Sequence, residues 1–242
     1  MSDELIAGKV VRIGEGVTLI LGDSEQMERI EADVIVSDPP YGIKWNTNYQ
    51  FGLKNSSAKY AKNLVRKKHD AVGGDDKPFD PSRWLAYGTA VLWGCNYFMD
   101  ALPAGSLFVW DKRTYDGKAF MSQAEAAWCS RVGAVRMFHH VWQGFSRASE
   151  NSEHHHPTQK PVALMAWCMD EAKIPQGATV LDPYMGSGST AIACIRTGRK
   201  FIGIERDPVH FATAEQRIRR ELEAGTFNFA AQPASASQQP LL

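Results

Sequence analysis

The chain has 242 residues, enough for one α/β domain with a sizeable core plus a small insertion. Lys and Arg total 27 and Asp and Glu total 27, so the net charge of zero gives no overall attraction to nucleic acid; any such pull must come from local clustering. Met1-Ser2-Asp3-Glu4-Leu5 lacks the basic and apolar regions of a signal peptide, and no apolar run reaches membrane-spanning length, so the reading is a cytoplasmic protein without a membrane partner.

In chain order, apolar runs predict strands at 18–21 and 33–36 with a polar helix between them. Two more strands are predicted at 90–93 and 106–110, around a short helix at 97–102. Strands at 179–181 and 200–204 flank a helix at 189–197, and a last amphipathic helix starts after Asp207-Pro208, since proline suits a first helical turn. The alternation predicts a mostly parallel sheet with helices on both faces. One domain, 1–223, would carry an inserted polar loop at 44–80 and a short aromatic, His- and Arg-containing segment at 136–157. The Ala/Ser/Gln/Pro-rich 224–242 reads as a flexible tail. Cys95, Cys129, Cys168 and Cys194 lie in apolar stretches without a CxxC pair, which predicts buried free thiols.

Two strand-end segments carry chemistry. In the late one, Asp182-Pro183-Tyr184-Met185-Gly186-Ser187-Gly188-Ser189-Thr190, Gly186 and Gly188 allow a tight turn and close approach of a ligand. The helix that follows aims unpaired N–H groups at that space. Glu205 ends the next strand, nineteen residues after Gly186, where an acid can accept hydrogen bonds from ribose hydroxyls. A nicotinamide fold is disfavoured because Ala191 stands at the third glycine position, and a phosphate loop because GKS or GKT is absent. A small adenosine-bearing cofactor fits best.

The early segment is Ser37-Asp38-Pro39-Pro40-Tyr41-Gly42. Two prolines fix the backbone and remove two N–H donors, leaving carbonyls beside the Asp38 carboxylate. Such an acceptor-only pair suits an exocyclic NH₂ whose lone pair must be localised before it attacks a methyl group. Tyr41 offers a face for an extruded base.

With these residues in view, the chain resembles the amino-directed, S-adenosylmethionine-dependent DNA methyltransferases, whose motifs read [D/N/S]PP[Y/F] and DPFxGSGT. Here Asp38-Pro39-Pro40-Tyr41 matches the first. The second departs by Tyr184 for Phe and an inserted Ser189 before Thr190. The catalytic motif preceding the cofactor motif resembles the circularly permuted, β-type order, in a class I Rossmann-like sheet. The resemblance implies that Asp38, Pro39, Pro40 and Tyr41 are catalytic. It places S-adenosylmethionine among Asp23, Asp38, Thr158, Lys160, Asp182, Pro183, Tyr184, Gly186, Ser187, Gly188, Ser189, Thr190 and Glu205. Within His156-Pro157-Thr158-Gln159-Lys160-Pro161, Thr158 and Lys160 would approach the cofactor's methionine end. Asp at the acceptor position implies N6-adenine as the target; cytosine N4 and a catalytically silent DNA-binding module are the alternatives. The resemblance further implies double-stranded DNA as substrate and a homodimer, either solitary or beside a separate restriction endonuclease.

Lys44, Lys54, Lys59, Lys62, Arg66, Lys67 and Lys68 form an acid-free run directly after the catalytic tetrapeptide and read as a phosphate clamp. Arg136, His139, Gln143, Arg147 and Asn151 supply the donor and acceptor types used on base edges. His154-His155-His156 is too short for a tag and lacks the partners of a zinc set, so no metal is expected.

Overall fold

The computed structural model describes residues 8–43, 75–114, 117, 122–131, 133–143, 146–149 and 159–230. Nine strands form one sheet in the order β1-β2-β11-β10-β3-β4-β6-β5-β7. They are β1 (Val10–Ile13), β2 (Val17–Leu21), β3 (Val34–Ser37), β4 (Thr89–Trp93), β5 (Ser106–Asp111), β6 (Ala124–Cys129), β7 (Arg136–His139), β10 (Thr179–Asp182) and β11 (Lys200–Glu205). The stretch from β2 through β11, β10 and β3 to β4 is parallel, as the alternating pattern predicts. Antiparallel pairs border it, β1 on β2 and the β4-β6-β5 meander, while β7 adds in parallel to β5 at the far edge. The sheet is therefore mixed. A separate small pair joins β8 (Trp142–Gln143) and β9 (Ser146–Arg147).

Three α-helices are described: α1 (Val162–Glu171), α2 (Ser189–Arg196) and α3 (Pro208–Ala230). All three feed one apolar cluster with the inward side chains Val34, Val36, Val91, Trp93, Val180 and Phe201. The alternate residues Ile35, Ala90, Leu92, Leu181 and Ile204 face the other way. There Trp84, Tyr87 and Phe98 cover them, carried by short 3₁₀ turns and loops. Among the described residues, α-helices cover one face and short 3₁₀ helical turns the other. Trp93 and Trp110, both fully buried, meet edge to face at 6.5 Å, a geometry worth about 1 kcal/mol beyond burial.

Other local expectations also yield to tertiary contacts. Instead of a polar helix between β2 and β3 there is one 3₁₀ turn, Ser24–Gln26. The Arg83 guanidinium takes the carbonyls of Glu25, Met27 and Glu28, and Tyr87 Oη donates to the Ile30 carbonyl at 2.8 Å. Those acceptors are no longer available to a helix. The expected helix at 97–102 is two 3₁₀ turns, Cys95–Tyr97 and Met99–Ala101, broken at Phe98, which turns into the core. Helix α3 continues to Ala230, past residue 224 where the tail was expected to begin. The first part of 136–157 is the sheet's edge strand β7. Helix α1 and strands β1 and β6 have no counterpart among the sequence expectations. All four cysteines are buried and free, as expected.

Candidate active site

Strands β3 and β10 are direct neighbours, with Val34 opposite Val180 and Ile35 opposite Leu181. From β10 the chain crosses through α2 to β11 on one side, whereas β4 lies on the other side of β3. This is a topological switch point, where open α/β sheets bind ligands beyond their carboxyl ends. It brings the early and late segments together. Ser37 Oγ donates to Asp182 Oδ1 at 2.6 Å across 145 residues of sequence. Thr190 Oγ1 donates to Asp182 Oδ2 at 2.6 Å, and the Tyr184 amide to Oδ1 at 3.1 Å. Burial pushes the Asp182 carboxyl up to about 6, against these three donors. Asp182 and Thr190, both expected to hold a cofactor, therefore spend their side chains on each other and on Ser37. Their role in the structure is to clasp two strand ends.

The glycine turn is fastened from two further sides. Glu205 Oε2 accepts from the Gly186 amide at 2.9 Å and Oε1 from the Asp207 amide at 2.8 Å, with burial raising its pKa. Arg217 of α3, itself buried, donates to Ser187 O at 2.5 Å and to Ser187 Oγ at 3.1 Å. Gly188, at φ +83°, opens α2 in a left-handed conformation that favours glycine. Ser189 Oγ is buried without a hydrogen-bond partner among the described residues. On β2's side, Asp23 caps the Ser24–Gln26 turn through the Glu25 amide at 3.0 Å, and Tyr184 Oη donates to Glu25 Oε1. Asp23, Glu205, the glycine turn and Asp38 thus follow four adjacent strand ends.

At the end of β3 lies a cluster of alternating charges. Asp38 Oδ1 accepts from Tyr41 Oη at 2.5 Å and Oδ2 from Lys160 Nζ at 2.5 Å. Lys160 Nζ is 3.3 Å from Tyr41 Oη and 3.1 Å from Glu125 Oε2 on β6. Glu125 Oε1 in turn accepts from Lys112 Nζ, just beyond β5, at 2.6 Å. Burial raises the Asp38 pKa, and Lys160 opposes it. Burial likewise works against charge on Lys160, but Asp38 and Glu125 outweigh it and hold its pKa well above the ordinary value. Burial would also raise Glu125, yet Lys160 and Lys112 hold it down to about 2. Two cations and two carboxylates therefore coexist in a neutral set. Burial and the neighbouring Asp38 carboxylate keep Tyr41 a phenol.

Tyr41 is shaped by its surroundings. Tyr97, half exposed, stacks on it at 4.9 Å and 17°. Gly94 at φ +73° lies so close that a Cβ there would sit 1.9 Å from Tyr41 Cε1. Beyond the tetrapeptide, Asp75 Oδ1 accepts from the Gly42 and Ile43 amides at 2.8 and 3.1 Å, joining residues on either side of 44–74.

The remaining expected residues are dispersed. Arg136 is exposed and pairs with Glu171 at 3.3 Å; His139 Nδ1 lies 3.3 Å from Asp111, whose carboxylate also holds Arg113. In the small pair Gln143 is in register with Ser146 and Arg147 with Trp142. Lys44, Lys54, Lys59, Lys62, Arg66, Lys67, Lys68, Asn151, Thr158 and the histidine run 154–156 lie outside the described residues. Among the described residues, no His, Cys, Asp and Glu group is arranged to hold a metal ion. Sequence reasoning missed Ser37 as a clasp, and Gly94, Tyr97, Lys112, Glu125 and Arg217. Glu125 did leave a signal: an acid inside the apolar run Ala124–Cys129 rarely goes inward unpaired.

Comparison with known proteins gives the same picture. The family model described as DNA methylase, of the N6/N4 type, matches residues 108–216. The chain is similar to the protein YubD of Escherichia coli (strain K12), with 39% identity over 77 residues, 31% of this chain and 34% of YubD. It is also similar to the type II methyltransferase M2.DpnII of Streptococcus pneumoniae, with 37% identity over 84 residues, 34% of this chain and 31% of that protein. The match thus spans about a third of the length of these curated relatives. Among solved structures, the cytosine-N4-specific PvuII DNA methyltransferase superposes with a TM-score of 0.53 at 11% identity, covering 90% of this chain and 94% of that one. This last likeness concerns the fold.

Proposed function

We propose that this chain, whose residues 108–216 match the N6/N4 DNA methylase family model, is a member of that family and transfers a methyl group from S-adenosylmethionine to the exocyclic amino group of a base in double-stranded DNA. The observation that carries the reading is the Ser37–Asp182 clasp, which sets Asp38-Pro39-Pro40-Tyr41 beside the glycine turn at one switch point.

The donor set suits the cofactor. Backbone amides at the start of α2 and the Ser189 hydroxyl, which lacks a described partner, offer hydrogen bonds; Glu205 and Asp23 offer acceptors at the ends of β11 and β2. S-adenosylmethionine would supply an electrophilic methyl group there. Asp38 accepts a hydrogen from the amino group, and the prolines keep competing N–H donors away. Lys160, on Asp38 Oδ2, favours the ionised, acceptor-only carboxylate against the burial that raises its pKa. Tyr41, fixed between Asp38 and Tyr97, presents an aromatic surface to an extruded base.

Adenine N6 is the proposed target, because the acceptor position is Asp38, and a homodimer is part of the same proposal. Tritiated methyl incorporation into unmethylated DNA by wild type and Asp38→Ala tests the activity; the variant should lose roughly 10²–10³-fold in rate. Nucleoside analysis of the product tests the base. N4-methylcytosine without N6-methyladenine would overturn the adenine assignment, and sedimentation of the purified protein tests the dimer.

A further inference from the structure

Both oxygens of Asp38 are occupied, one by Tyr41 and one by Lys160. An incoming amino group brings donors, as Lys160 does, so the two compete for one acceptor. Lys160 cannot simply withdraw. It is 8% exposed, and an ammonium stripped of its partner in such surroundings costs several kcal/mol. A place for it exists on the other side. Glu125 Oε2 already pairs with Lys160 Nζ at 3.1 Å, a longer contact than the 2.5 Å from that ammonium to Asp38, and it is buried with no other described partner. Its sister oxygen is anchored by Lys112 at 2.6 Å, and β6 is paired on both sides by β4 and β5, so Glu125 itself stays put.

We infer that Glu125 is a positioning residue that takes over the Lys160 ammonium when a base engages Asp38. The lysine then moves between two carboxylates, and no charge is left uncompensated in the interior. The inference rests on the methyl-transfer reading and deepens it by assigning a residue outside the two motifs. The groups that face Asp38 are Lys160 from the segment before α1, Glu125 from β6, Asp182 from β10 and the Tyr41 hydroxyl.

The test is steady-state methyl transfer with tritiated S-adenosylmethionine and unmethylated phage DNA, over a range of pH. In Glu125→Gln the lysine keeps to Asp38, so kcat should fall about tenfold or more while calorimetric affinity for S-adenosylmethionine stays within about twofold. The acid limb of the kcat profile should also move to lower pH, since Asp38 alone then holds the cation. Partial misfolding of the variant would lower kcat without moving that limb. Glu125→Asp keeps the charge but draws it back, so it should restore part of the rate. If the Gln variant does not fold, the Asp variant decides alone through a several-fold loss of kcat with a lowered acid limb. Active wild type with unchanged rate and limb in the variants overturns the handover and leaves the methyl-transfer reading intact. Inactive wild type overturns both.

Discussion

Replacing Ser37 by alanine removes one of three donors to Asp182 and the side-chain hydrogen bond that joins the two strand ends. Burial moves the Asp182 carboxyl from its ordinary 3.8 to about 6. At about 1.4 kcal/mol per tenfold change in proton affinity, the charged form costs the folded state about 3 kcal/mol. The sign follows from the raised folded-state pKa. The folded protein binds this proton more tightly than the unfolded chain, so the group's contribution is full below 3.8, declines as pH rises to about 6, and is then flat. Without Ser37 the carboxyl rises further, and a hydrogen bond to a charged group worth about 2 kcal/mol is lost. In a chain this long that corresponds to a drop in Tm of about 4–8 °C near roughly pH 8. At roughly pH 5 the carboxyl is mostly protonated in both proteins, and the lost neutral hydrogen bond is worth about 1 kcal/mol, so the gap should halve. Circular-dichroism melts of wild type and Ser37→Ala at the two pH values read this directly. An equal loss at both, or a loss under about 1 °C at the higher pH, would refute the clasp.

Gly94→Ala forces a Cβ into the Tyr41 ring at a left-handed φ, so it should cost about 1–3 kcal/mol in a denaturant titration and lower methyl transfer, with no room for Tyr41 to stay on Asp38. Arg217→Met removes the donors to Ser187 and should weaken S-adenosylmethionine binding about tenfold by calorimetry, the scale of one charge-assisted hydrogen bond. Neutralising Lys62, Arg66, Lys67 and Lys68 together should weaken DNA binding and flatten the slope of log K against log salt by up to about 3–4. An unchanged slope would remove these residues from the DNA contact.

The parallel centre of the sheet was legible because each of its strands is a short apolar run ending in a turn or a carboxylate, as in Asp33-Val34-Ile35-Val36 and Thr179-Val180-Leu181-Asp182. The turns at Asp38-Pro39-Pro40-Tyr41 and Gly186–Gly188 were legible because proline and glycine constrain the backbone locally. Strand β6 was not, because Ala-Glu-Ala-Ala-Trp-Cys has little intrinsic strand preference and is held by neighbours on both sides. Helix α1 is apolar nearly all round, so it shows no amphipathic period to mark it. Arg83 dissolved the expected helix after β2 from more than 50 residues away, a contact no local window contains. Glu125 shows its role only when Lys112 and Lys160 arrive from 13 and 35 residues along the chain.

The occupied carboxylates change which residues are expected to discriminate ligand from fold. Asp182 is engaged by Ser37, Thr190 and the Tyr184 amide, and Glu205 by the Gly186 and Asp207 amides. A carboxylate oxygen that already accepts one strong bond can accept another, but only from the side its neighbours leave open. Asp182 is 2% exposed and Glu205 9%, so Glu205 has more room for a further donor. Substitutions at Asp182 should therefore register first as lost stability. Substitutions at Glu205 should register as lost cofactor affinity together with a loosened glycine turn, because one carboxylate serves both. Recognition at the turn itself then falls to backbone amides and to Ser189, whose buried hydroxyl has no described partner.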